Sequence, residues 1–94
     1  NLMLDAVPRH INRDEVLNYL RSIEGVVEVH DLHIWALSTN ETSMTAHLVM
    51  PERPLWDSGS AYGDIGATLK QRFDIYHVTL QVEKDNQCVT QDCN

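Results

Sequence analysis

Five histidines, His10, His30, His33, His47 and His77, stand in a chain of 94 residues that has only two cysteines, Cys88 and Cys93. Neutral imidazole and carboxylate bind divalent metals such as zinc at about 2 Å, and nickel, cobalt and copper accept the same donors. Two of the histidines fall three apart in VEVHDLHIWALS, residues 27–38, with Asp31 between them and Trp35 just beyond. No nucleophile stands beside a candidate base, and no catalytic motif is present, so metal binding rather than catalysis is the expected chemistry and no enzyme activity is expected. Cys88 and Cys93 form a C-x4-C pair in a polar tail. That spacing is looser than the C-x2-C knuckle of a self-contained zinc site, and it is suited to supplying two ligands to a site completed by another chain.

These side chains need elements to hold them. Asn12 and Glu15 have the spacing of a capping box, and Val16, Leu17, Leu20 and Ile23 make an apolar stripe, which predicts a helix over residues 13–24. Gly25 sits where a left-handed cap would close it. A strand over residues 27–38 follows. Thr39, Asn40 and Glu41 make a hairpin turn, and residues 42–50 alternate again, with Met44, Ala46, Leu48 and Met50 on the apolar side. Pro51 and Pro54 open a loop. Asp57 or Ser58 then caps a second helix through Ala61, Ile65, Leu69 and Phe73, weakened by its glycines. Residues 76–83 form a third strand, and residues 84–94 are a tail without periodicity.

The order α-β-β-α-β predicts a two-layer α+β sandwich of the ferredoxin-like, metallochaperone-like kind, with both helices on one face of a three-stranded mixed sheet. Uninterrupted period-two alternation puts Leu32, Ile34, Met44, Ala46, Leu48, Val78, Leu80 and Val82 beneath the helices. The opposite face then collects Asp31, His33, Trp35, His47, His77, Thr79, Gln81 and Glu83. A single histidine on a strand is most often a surface or half-buried residue with a satisfied hydrogen bond. Shared parity across three strands favours ligation, first for His47 and Glu83, then for His77 and His33, with Asp31 as a ligand or as a partner that orients an imidazole. By the same parity His30 falls with the core-facing set, as a buried, hydrogen-bonded histidine. His10 lies outside the regular elements.

The formal charge of −7 and the absence of a basic run argue against a nucleic-acid or anionic-lipid surface and favour cations. No apolar run approaches the roughly 18 to 20 residues of a membrane span. A chain of this size holds one small core, where dimerisation or metal often helps. Trp35 and Val49 on an uncovered sheet face suggest a homodimer.

The segments VVEVHDLHIWALS, TAHLVM and HVTLQVE, in this order and with a helix between the last two, resemble the cytoplasmic C-terminal domain of cation diffusion facilitator transporters, above all the zinc-transporting members. The resemblance runs from about Leu4 to Glu83. It implies a homodimeric domain attached to a six-helix membrane domain that exchanges divalent cations for protons, in an inner or plasma membrane if the source is bacterial. Residues 1–11 would be the linker from that membrane domain, residues 12–83 the metal-binding and dimerisation domain, and residues 84–94 a flexible tail. It also implies that His47 and Glu83 match recurrent ligands, and that His30 and Asp31 match positions used in some members. Where many relatives have two histidines before the third strand, this chain has Tyr76 and His77, and where several end in C-x2-C it has C-x4-C. The expectation is therefore a regulatory, metal-sensing domain of a metal exporter, of the kind associated with heavy-metal resistance. It would bind Zn2+ (or Cd2+, Co2+, Ni2+) through members of the set His47, Glu83, His77, Asp31, His33, His30, Cys88 and Cys93. The alternative is a free-standing metallochaperone or small-ligand-binding module of the same fold.

Overall fold

A computed structural model describes residues 7–8, 10–37, 41–52 and 60–84. The elements are α1 (Arg13–Ser22), β1 (Glu28–Ala36), β2 (Thr42–Val49), α2 (Ser60–Phe73) and β3 (Ile75–Glu83). The sheet order is β1-β2-β3, with β1 antiparallel and β3 parallel to β2. This is the expected α-β-β-α-β sandwich with a mixed sheet.

The first helix begins as its sequence requires. Asn12 is in extended conformation, and its side-chain oxygen accepts a hydrogen bond from the Glu15 backbone N–H at 3.1 Å. The helix ends two residues earlier than the periodicity suggests, because Ile23 turns to extended backbone while its N–H still reaches the Leu20 carbonyl. Gly25 then takes φ +95°, and a Cβ there would lie 3.2 Å from Met50 Cε. The left-handed backbone is what calls for glycine at this corner, and the nearby methionine methyl would have to give way to a Cβ.

Val16 and Leu20 of α1 and Ile65, Leu69 and Phe73 of α2 join Val29, Leu32, Ile34, Met44, Ala46, Leu48 and Leu80 in one core. Full burial of each large aliphatic side chain is worth about 1.5–3 kcal/mol. That outweighs the roughly 1 kcal/mol that an interior glycine such as Gly63 or Gly66 costs α2. The Tyr62 hydroxyl also accepts from the Leu80 N–H at 3.1 Å, tying α2 to β3. The caps expected at Asp57 or Ser58 lie outside the described residues.

Two register irregularities overturn parts of the alternation expected from sequence. In β1, His30 pairs with His47 and His33 with Thr45, so Asp31 and Leu32 together stand opposite Ala46. Asp31 is the extra residue of this bulge, with φ +57°. The phase of the strand slips there. Val29 turns into the core upstream and Leu32 and Ile34 downstream, while His30, His33 and Trp35 all belong to the face away from the helices. Period-two counting through the bulge places His30 with the core and Val29 outside, and the structure corrects both assignments. In β3, Thr42 pairs with Ile75 but Ser43 with His77, which leaves Tyr76 as the extra residue and buries Ile75 completely.

Candidate metal centre

Antiparallel and parallel register together order the uncovered face into rows. Trp35, Ser43 and His77 form one, His33, Thr45 and Thr79 the next, then His30, His47 and Gln81, and last Glu28, Val49 and Glu83. The last two rows and the bulge make the candidate site. His47 Nδ1 lies 3.0 Å from Glu83 Oε2 and 3.4 Å from Asp31 Oδ2. His30 Nδ1 is 3.8 Å from Asp31 Oδ2, and its Nε2 is 3.6 Å from Glu83 Oε1. The two imidazoles meet edge to face with centroids 5.6 Å apart. One ligand atom from each of His30, Asp31 and His47 can be chosen so that all lie within 4.8 Å of one another. Glu83 lies outside that mutual set and borders it through His47 Nδ1 and His30 Nε2.

The donor chemistry fits a divalent metal. A tetrahedron with bonds of about 2.0–2.1 Å has edges of about 3.3–3.4 Å, which the 3.4 Å contact of His47 with Asp31 matches, while the 3.0 Å contact with Glu83 is shorter. Two imidazoles and two carboxylates are a ligand set that zinc accepts. Burial sharpens the case, since the Glu83 side chain is only 8% exposed and that of His30 only 11%. Glu83 Oε1 is buried without a hydrogen-bond partner, while Oε2 receives Gln81 Nε2 at 3.4 Å. A buried carboxylate oxygen in that condition is costly unless a positive charge compensates it. A cation held by His30, Asp31 and His47 beside Glu83 would supply that charge.

The remaining expected ligands lie elsewhere. His33 is exposed one row away, beside Thr45. His77 is exposed two rows away and engages Glu41 Oε1 through Nε2 at 2.7 Å. His10 Nε2 is 3.3 Å from Asp74 Oδ2 at the α2–β3 corner. Cys88 and Cys93 lie outside the described residues. His30 is the residue that alternation misses. Its signal is a phase slip, with apolar residues at odd positions in Val27 and Val29 and at even positions in Leu32 and Ile34.

The model of the cation efflux protein cytoplasmic domain matches residues 8–85. This chain belongs to that family. The family's cytoplasmic domain is part of membrane transporters, and among the described residues no helix is long and apolar enough to cross a membrane. The chain is 35% identical over 83 residues to the metal cation efflux system protein CzcD of Cupriavidus metallidurans, covering 88% of this chain and 26% of that protein. It is 30% identical over 82 residues to the human proton-coupled zinc antiporter SLC30A8, covering 87% of this chain and 22% of that protein. Against metal tolerance protein 1 of rice it is 30% identical over 84 residues, covering 89% and 20%. The chain thus spans about a fifth to a quarter of the length of these relatives. Among solved structures, the metal-bound C-terminal domain of CzcD superposes with a TM-score of 0.68 at 34% identity, covering 78% of this chain and 99% of that one. The cation efflux domain therefore carries its His30, Asp31, His47 and Glu83 cluster on the fold that this metal-bound relative shares.

Proposed function

We propose that this domain is the cytosolic metal-sensing and regulatory module of a divalent-cation/proton antiporter that exports metal, working as a homodimer beneath its own membrane domain. The observation that carries the reading is the convergence of His30 and Asp31 from β1, His47 from β2 and Glu83 from β3 on one uncovered sheet face, with a buried carboxylate oxygen left without a hydrogen bond. Zinc is the favoured ion because relatives named as zinc transporters have this domain, and cadmium, cobalt and nickel accept the same donors. Residues 12–83 would form the sensing domain, residues 1–11 the link to the membrane part, and the C-x4-C tail a pair of thiols for a further site shared with another chain.

The bound cation supplies positive charge. His30 and His47 present ring nitrogens to it, and Asp31 and Glu83 lose their mutual repulsion across His47. Because these four side chains come from three strands, binding fixes the relative positions of β1, β2 and β3. In a dimer of two chains of charge −7 it also lowers the repulsion between subunits and favours a closer arrangement, which biases the attached membrane domain. Zinc titration by calorimetry, followed by sedimentation with and without zinc, tests this reading. The site of the cluster is expected to be lost in His47→Ala with Glu83→Ala, leaving only binding by the tail thiols, and the parent dimer is expected to compact when zinc is added. Binding by the double variant equal to that of the parent would refute it.

A further inference from the structure

We propose that Arg13, on the opposite layer of the sandwich, is a positioning residue that sets the metal affinity of the cluster by clamping the β1 bulge. The inference rests on the metal-site reading above and deepens it.

Arg13 is the first residue of α1, and its Nη2 donates to the Leu32 carbonyl at 3.3 Å across 19 positions of sequence. Leu32 directly follows Asp31, whose left-handed backbone makes the bulge and whose Oδ2 lies between the two imidazoles. Leu32 is thus held twice, by its side chain in the core and by its carbonyl on the guanidinium. With that residue immobile, the Asp31 carboxylate is aimed at His30 and His47 rather than left on a loose insertion. The helix does not account for this arginine. A cation in the first turn opposes the macrodipole, and the neighbouring first-turn residues, Asp14 and Glu15, have the favourable sign.

The clamp also ties the metal cluster to the place where the chain enters α1. Asn12 caps the helix immediately before Arg13, and Ile11 N–H bonds the Pro8 carbonyl at 3.0 Å. A shift of this segment moves Arg13, and through Leu32 the aim of Asp31. By linkage, metal binding then resists the same shift.

Cobalt titration of the full 94-residue chain tests the clamp, reading affinity, the visible d–d absorption of bound cobalt and amide exchange over residues 31–34 in the metal-free protein. Arg13→Met should bind about tenfold more weakly, the scale of loss seen for partners outside the ligand shell, with an altered cobalt spectrum and faster exchange. Arg13→Lys, which keeps a donor, should recover part of each. The sign is diagnostic, because removing a positive charge from an acidic domain would by itself strengthen cation binding. If Arg13→Met does not fold, Arg13→Gln compared with Arg13→Lys decides between the outcomes by the same readouts. Parent affinity and spectrum in the Arg13 variants, with binding still lost in His47→Ala, would overturn the clamp alone. If His47→Ala leaves cobalt binding intact, the cluster is not the site and the functional reading falls with it.

Discussion

Deleting Asp31 should separate the fold of this domain from its chemistry. Without it, Leu32 would stand opposite Ala46 while His30 stays opposite His47 and His33 opposite Thr45, so every other residue keeps its face and its partner. The metal-free balance is close. Relief of one left-handed non-glycine residue returns about 1–2 kcal/mol. Removing the bulge also shifts the Leu32 carbonyl from Arg13, and a bond to a charged group is worth about 1.5–3 kcal/mol before solvent reduces it at this exposed arginine. The deleted protein should therefore melt within roughly 1 kcal/mol of the parent, a few degrees for a domain of this size. Metal binding should fare differently. Removing an anionic donor should weaken zinc by about 100-fold, the upper end of what even outer partners contribute. At a zinc concentration of about 100 times the parent dissociation constant, binding stabilises the parent by about 2.7 kcal/mol, and the deleted protein by only about 0.4 kcal/mol. At about 4–8 °C per kcal/mol, the zinc-induced rise in melting temperature should fall from above 10 °C to about 2–3 °C. Thermal melts of both proteins with and without zinc measure this. An unfolded deletion variant would show the bulge to be required by the core, and an undiminished zinc shift would show that Asp31 plays no part in binding.

Three further outcomes follow from the same geometry. His77→Ala removes an exposed pair with Glu41, so stability should change by no more than about 0.5 kcal/mol and zinc affinity should be unaltered; a clear loss of binding would bring His77 into the site. Gly25→Ala should lower the melting temperature by at least about 4 °C, since it forces a side chain into the left-handed region beside Met50, and an unchanged melt would contradict that corner. Chelation of zinc should return the melting temperature of the parent to its metal-free value, since the stabilisation comes from the bound ion, and a melt that chelator leaves unchanged would contradict that.

Some of this was legible in the residues. The cap at Asn12, the stripe Val16 and Leu20, the left-handed corner at Gly25 and the alternation of Met44, Ala46 and Leu48 are local patterns, and local patterns survive folding. Alternation puts His47 and Glu83 on the uncovered face because β2 is regular beside them and β3 is regular from His77 onward. His33 and His77 share that face, but a face is broad. Only the pairing of strands puts them one and two rows away from His30 and His47.

What the sequence by itself determined is the order of elements, the apolar layer between helices and sheet, and the supply of imidazole and carboxylate on the side away from the helices. Each follows from hydrophobic periodicity and local capping, which act over a few residues. Which of those groups meet was decided only in three dimensions. One inserted residue in β1, held in left-handed backbone and fastened to a helix in the other layer, moves His30 out of the predicted core and sets Asp31 between two histidines. Period-two counting assumes an unbroken ladder. The break is chosen by the competition between burying Val29, Leu32 and Ile34 together and keeping the hydrogen bonds of one strand, and that competition exists only once β1, β2 and α1 are packed.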